Sequence, residues 1–177
     1  LLLMESRTSV RRITCHLLEQ GRTLPGFIGD ISYAQSNRER YEGFCQALAD
    51  AGKKVDSSLC LTTPLGIDTY REEIDTFLSS LSRMPDAFVC ASDYVACILM
   101  QLLEKRGLRV PEDVAVSGFD NNTEDLLAEH LTTVQVFNEE LGARLALQIL
   151  YRIKYPNTPH EITYLGTNVL YRDSTGD

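Results

Sequence analysis

A chain of 177 residues with 44% hydrophobic side chains is long enough to bury a core, as one domain or as two small lobes. Its 17 Lys and Arg against 25 Asp and Glu give a formal net charge of -8, which excludes an overall basic footprint for gripping phosphates. The five cysteines, Cys15, Cys45, Cys60, Cys90 and Cys97, are odd in number and mostly set in apolar or helix-like runs, so they read as reduced thiols of a cytoplasmic protein. Together with the three histidines they show no metal-ligand spacing, so neither a metal nor another cofactor is expected.

The chain opens on the apolar run Leu1 to Met4, with no basic stretch before it and no small-residue cleavage site after it. That is too short for a signal peptide or a membrane span and reads as the end of a buried strand. With no Met at position 1, the expectation is a piece of a longer protein whose missing part lies upstream. Val10, Ile13, Leu17 and Leu18 then fall on one helical face, with Ser9 as N-cap and Gly21 as stop. A short strand follows at 25–29 and runs out into a polar loop at 30–37. Ser36 and Glu39 have capping-box spacing ahead of the stripe Tyr41, Phe44, Cys45 and Leu48.

Residues 55–61 read as a strand, and Thr69 with Glu72 repeats the capping-box spacing before Ile74, Phe77, Leu78 and Leu81. The continuous apolar run 87–91 precedes a helix with Val95, Ile98, Leu99 and Leu102 inward and Gly107 as stop, and a further apolar run spans 114–119. Cys97, Met100 and Leu103 on that helix offer apolar surface beyond the inward stripe, which suggests a homodimer contact. Toward the C-terminus, 131–137 reads as a strand, Leu141, Leu145, Ile149 and Ile153 form an i+4 stripe, and 164–171 reads as a last strand. Strand, helix and strand joined by short connections build parallel βαβ units, hence an α/β chain with helices on both faces of its sheet.

In such a sheet, ligands bind in the crevice beyond the carboxyl ends of the strands, where loops and helix N-termini meet. Three runs end there in polar groups: Asp30 and Ser32, Ser92 and Asp93, and Asp120 with Asn121 and Asn122. Arg38 and Arg40 stand in the first turn of a helix, where the helix dipole does not favour a cation and a ligand supplies a reason for one. Carboxylate, amide, hydroxyl and guanidinium groups together suit a sugar or another small polar molecule. Each of these side chains taken singly also reads as an ordinary cap or turn residue.

Catalysis finds less support. Cys15 and His16 are adjacent on a helix and point roughly 100° apart, which is no nucleophile–base pair. His130 and His160 have no Ser or Cys elbow beside them, and Asp93 with Asp120 is better read as a ligand-holding pair than as an acid–base pair. The chain is read as no enzyme.

The segments Ser92-Asp93-Tyr94-Val95-Ala96, Gly107 to Asp120 with its Arg-Val-Pro-Glu-Asp-Val run and Gly-Phe-Asp end, and Leu131-Thr132-Thr133-Val134 closely resemble the run that marks LacI/GalR transcription regulators. Arg38-Glu39-Arg40-Tyr41-Glu42-Gly43-Phe44 and Glu140-Leu141-Gly142 are similar to two further segments of that family, in the same order. The resemblance implies a periplasmic-binding-protein-like type I core: doubly wound parallel sheets in two lobes joined by three crossovers, with the N-terminal lobe incomplete. By it, residues 1–30 and 136–160 belong to the N-terminal lobe, and 31–135 and 161–177 to the C-terminal lobe. Arg40, Ser92 and Asp120 match the family's ligand-binding positions, and Thr8 stands where relatives often have Asn or Asp.

The implied partners are a small-molecule effector of carbohydrate type, a second copy of the chain, and operator DNA reached only through a helix-turn-helix domain upstream, with no membrane. A sugar-transport receptor of the same fold is the alternative. The sequence departs from the family pattern at Asn121, at Glu129-His130, at Val136 and in lacking an aromatic near Thr63 and Pro64.

Overall fold

A computed structural model describes residues 1–66, 68–122 and 129–177. Its centre is a four-stranded parallel sheet in the order β3 (Cys60–Leu61), β2 (Pro25–Ile28), β4 (Ala87–Cys90), β5 (Ala115–Ser117). The side-chain period of two along a strand splits the core into two faces. Phe27, Ala87, Val89 and Ala115 point toward α1 (Arg7–Glu19) and α2 (Gln35–Asp50), where they meet Val10, Ile13, Leu17, Phe44 and Leu48. Ile28, Phe88, Cys90 and Val116 point the other way, toward α3 (Tyr70–Ser80) and α4 (Asp93–Lys105), and meet Ile74, Leu78, Leu99 and Leu103. Helices on both faces explain why the strands are continuous apolar runs and not alternating ones. Each fully buried aliphatic or aromatic side chain contributes about 1.5–3 kcal/mol.

Beyond β5 the sheet continues loosely. Parallel bridges join Ser117 to Thr132 and Asp120 to Gln135, and β6 (Thr133–Gln135) pairs antiparallel with β8 (Asn168–Leu170). A smaller unit holds β1 (Leu2–Met4) and β7 (Thr163–Leu165), paired in parallel, with α5 (Asn138–Lys154) against β1. The chain passes between the two units three times, after β1, after β6 and between β7 and β8, and the passages are tied together. The Thr167 hydroxyl donates to the Glu5 carbonyl at 3.0 Å and lies 2.8 Å from the Ser9 hydroxyl.

Several expectations need correction. The lobe boundary after residue 30 is wrong, because β2 pairs with β3 and β4 and α1 packs on α2, so residues 7–30 join the larger unit. Conversely 163–165 pair with β1 in the smaller one. The helix expected to start after Ser9 starts at Arg7; Ser9 is buried beside Thr167 and caps nothing. The strand expected over 55–61 is a 3₁₀ turn at Ser57–Leu59 followed by two strand residues, and that over 164–171 divides into β7 and β8.

Neither capping box forms. At α2 the N-cap is Ala34 and Glu39 accepts from Gln35 Nε2 at 2.9 Å; at α3 it is Glu73, not Glu72, that bonds Thr69. On α4, Cys97 and Leu103 are buried between the sheet and α3, so the apolar surface offered for a homodimer shrinks to Met100. On α5 the reverse holds: the helix that carries the i+4 apolar stripe buries none of its residues fully. All five cysteines are free thiols.

Candidate functional site

The parallel strands deliver β2, β4 and β5 to one edge of the sheet, and the polar groups beyond them have different duties. Asp30 folds its own loop: its Oδ1 accepts from the Ser32 hydroxyl at 2.6 Å, from Ser32 N at 2.7 Å and from Tyr33 N at 3.1 Å, and against desolvation, which raises the carboxyl, these bonds together hold it below its ordinary value. Ser92 caps α4, its Oγ accepting from Val95 N at 3.3 Å. Both follow the plain reading of turn and cap residues.

Arg40 does not. It sits in the second turn of α2, is buried, and donates through Nη1 to the Ala91 carbonyl at the end of β4 and through Nη2 to Asp120 Oδ1 at 3.3 Å. Its Cζ lies 3.7 Å from the centroid of the Phe119 ring. Burying a guanidinium is costly unless it is paired, and here a carbonyl, a carboxylate and a π face offset the cost. Desolvation lowers its pKa, against the raising effect of Asp120 and Asp93. Its Nε is buried and finds no hydrogen-bond partner among the described residues. Across from it, Asp120 keeps 41% of its side chain exposed; desolvation raises its carboxyl while Arg40 pulls it down. The pair thus offers a fixed cation and a half-open carboxylate.

Asp120 faces Arg40 because the turn after β5 is left-handed: φ is 107° at Asp120 and 51° at Asn121. Asp93 lies beneath this turn, its Oδ2 accepting from Asn122 N at 2.7 Å and its Oδ1 from the Thr133 hydroxyl at 2.6 Å. It reaches there only because position 118 is glycine; a Cβ on Gly118 would stand 2.2 Å from Asp93 Oδ1. Burial pushes the Asp93 carboxyl up to about 6, against the two hydrogen bonds and with a smaller upward push from Asp120.

Of the four expected site residues, Arg40 and Asp120 come together, and Ser92 adjoins the carbonyl that Arg40 binds. Thr8 stands apart on the exposed first turn of α1, its N–H donating to Glu5 Oε1 at 2.6 Å, and among the described residues no hydrogen bond joins it to the other three. The role of Asp93 as a support beneath the turn was missed. Arg38 is exposed and lines, with Arg7, Tyr33, Gln35 and Glu42, a concavity of about 490 Å³ at the first turn of α2. A second hollow of about 440 Å³, lined by Leu1, Ile149, Arg152, Ile153 and Glu161, lies on the smaller unit and includes neither Arg40 nor Asp120 in its lining. Among the described residues no cluster of three or more His, Cys, Asp or Glu is placed to hold a metal, and no helix is long and apolar enough to cross a membrane.

Residues 14–175 match the family described as periplasmic binding protein-like domain. Among curated proteins the chain is 35% identical over 130 residues to the HTH-type transcriptional regulator DegA of Bacillus subtilis, covering 72% of this chain and 38% of that one. It is 32% identical over 170 residues to the HTH-type transcriptional regulator CelR of Thermobifida fusca, covering 93% and 48%. The chain therefore spans less than half the length of these relatives. Among solved structures, a transcriptional regulator CelR–cellobiose complex superposes with a TM-score of 0.87 at 28% identity, over 98% of this chain and 53% of that one.

Proposed function

We infer the function from one premise: the chain belongs to the periplasmic binding protein-like domain family, as LacI/GalR transcription regulators carry it. It is the effector-binding part of such a regulator, and its effector is a carbohydrate or another small polyhydroxylated molecule held between the two units. The observation that carries this is the Arg40–Asp120 pair, a preset guanidinium and a half-exposed carboxylate at the carboxyl end of the sheet. A carboxylate accepts from two neighbouring hydroxyls while a guanidinium donates to a third oxygen, which is the hydrogen-bond pattern of a sugar edge. The bound cellobiose of the CelR complex supports the class of ligand. Ser92 adds a hydroxyl at the same strand edge, and Thr8 is a candidate only across the opening, from α1.

Binding shifts the arrangement of the two units, and in the whole protein that shift changes the affinity of an N-terminal helix-turn-helix domain for operator DNA. This reading places the protein in the cytoplasm as a homodimer and assigns it no catalysis. The transport-receptor alternative is not favoured, since the curated relatives reported above are regulators.

The test is isothermal calorimetry on the chain with cellobiose, ribose and a panel of other mono- and disaccharides, repeated on Asp120→Ala and Arg40→Ala. A charge-assisted hydrogen bond at such a site contributes on the order of 1.5–3 kcal/mol, so each variant loses a factor of ten or more in affinity for the sugar that binds. A sugar bound with unchanged affinity by both variants moves the site elsewhere.

A further inference from the structure

Two consecutive side-chain-bearing residues with positive φ, Asp120 and Asn121, form a turn that the backbone does not favour by itself. Such a conformation persists where its surroundings over-determine it, and here three elements do so. From α4, Asp93 accepts the Asn122 N–H at 2.7 Å. From β6, the Thr133 hydroxyl accepts the Asn121 N–H at 3.2 Å, and Gln135 Oε1 accepts from Asn121 Nδ2 at 2.6 Å. From the segment after β8, Arg172 Nη2 donates to Asn121 Oδ1 at 2.8 Å.

The Arg172 segment is itself fixed. Ser174 Oγ donates to the Val116 carbonyl at 2.6 Å and accepts from Thr132 N at 2.8 Å, and the hydroxyls of Thr132 and Thr175 lie 2.6 Å apart. The Arg172 N–H donates to Thr132 Oγ1 at 2.7 Å and its Nη1 to the Leu131 carbonyl at 3.0 Å. These bonds latch the end of the chain to Val116, Leu131 and Thr132. The bond from Arg172 Nη2 reaches past this latch to the side chain next to Asp120.

We propose that Arg172 is a positioning residue of the effector site: acting through the Asn121 side chain, it holds the 120–122 turn so that Asp120 faces Arg40. This rests on the reading of Arg40 and Asp120 as effector ligands. The planar fork of a guanidinium suits the task, since one arm anchors on Leu131 and the other steers Asn121 from a fixed base. Arg172 follows β8, which pairs with β6 in the larger unit after one of the three passages between the units.

The test needs no ligand. In the 177-residue chain labelled with ¹³C and ¹⁵N, backbone couplings and carbon shifts report whether residues 120 and 121 are left-handed, and the Asp120 carboxyl carbon reports its titration beside Arg40 of α2 and Asp93 of α4. In Arg172→Met the left-handed signature at both residues is lost or split, and Asp120 titrates closer to an ordinary carboxylate. In Asn121→Gly, whose backbone accepts a positive φ freely, adding Arg172→Met changes neither reading further. Arg172→Lys, a single point donor that cannot bridge Leu131 and Asn121, behaves like the Met variant and serves if that one does not fold.

A variant that loses stability but keeps both signatures at 120 and 121 overturns the proposal, as does an equal shift in the Asn121→Gly background. Unfolding of both the Met and the Lys variant assigns Arg172 to the latch alone and overturns it too. Because no sugar is involved, a failed carbohydrate screen and a failed positioning role are told apart.

Discussion

Asp93 is the buried carboxylate on which the candidate site stands, and its ionisation has a cost that pH reveals. Its folded pKa, about 6, lies above the ordinary aspartate value. A raised acid favours the fold while protonated, so this contribution is complete below the ordinary pKa and is lost as pH rises through about 6. Asp93→Asn removes it. The stability of the parent relative to that variant is therefore expected to fall by about 2 kcal/mol between pH 4 and pH 7, read from urea midpoints of both proteins at each pH. A gap that stays constant across that range would place the Asp93 titration at its ordinary value. The sequence made part of this legible: the acidic and amide residues after three apolar runs marked one sheet edge, and Arg40 needed a reason to stand in a helix's early turns. It did not separate Asp30 and Ser92, which serve their own loop and helix, from Asp120, which faces a cation, because a cap and a ligand use the same side chains. The one local sign of the difference is the Asp120-Asn121 pair, residue types that tolerate the left-handed region better than most.

Periodicity found the strands and helices of the larger unit because each has one dominant neighbour, the sheet or the helices on it. It failed where burial has two sources or none. α4 is covered by the sheet and by α3, so Cys97 and Leu103 look like surplus apolar surface in the sequence and are core in the fold. α5 has the same kind of stripe, but packed against β1 it buries none of its residues fully. The segment Arg172 to Thr175 gave no signal at all, since four polar residues near the end of a chain resemble a tail, yet Ser174 and Thr175 are buried and bonded to Val116 and Thr132. Helix contacts also hinge on single positions. A Cβ on Gly43 of α2 would sit 2.2 Å from the Arg7 carbonyl of α1, a backbone atom that cannot swing aside. Gly43→Ala is thus expected to push α1 off α2 and destabilise the chain by about 1–3 kcal/mol despite alanine's better helix propensity, measured by denaturant unfolding. An unchanged or raised midpoint would mean that the two helices separate without strain.

The two units differ in how well they are closed. The larger has both sheet faces covered by helices, whereas the smaller presents Leu147, Leu150 and Ile153 on α5 at 60%, 63% and 72% exposure, with Ile162 and Tyr164 also open. Among the described residues β1 and β7 form a two-stranded parallel sheet, whose outer edges present main-chain donors and acceptors for pairing. Contiguous apolar surface beside an open strand edge drives association. The charges on α5 allow one arrangement in particular: Glu139 and Glu140 occupy its first turn and Arg152 and Lys154 its last, so two copies packed antiparallel bring opposite charges together at both ends. The 177-residue chain by itself is therefore expected to self-associate through α5 at tens of micromolar. Light scattering should give a mass above that of one chain, and amide exchange in α5 should slow as concentration rises while β4 and β5 stay protected throughout. Leu147→Lys with Leu150→Lys, both at exposed positions that leave the core intact, should return the chain to a monomer. A parent that is monodisperse and monomeric at all concentrations, with α5 exchanging as slowly as β4, would show that the smaller unit is stable with its apolar helix in water, and the account of that unit as uncovered would fall.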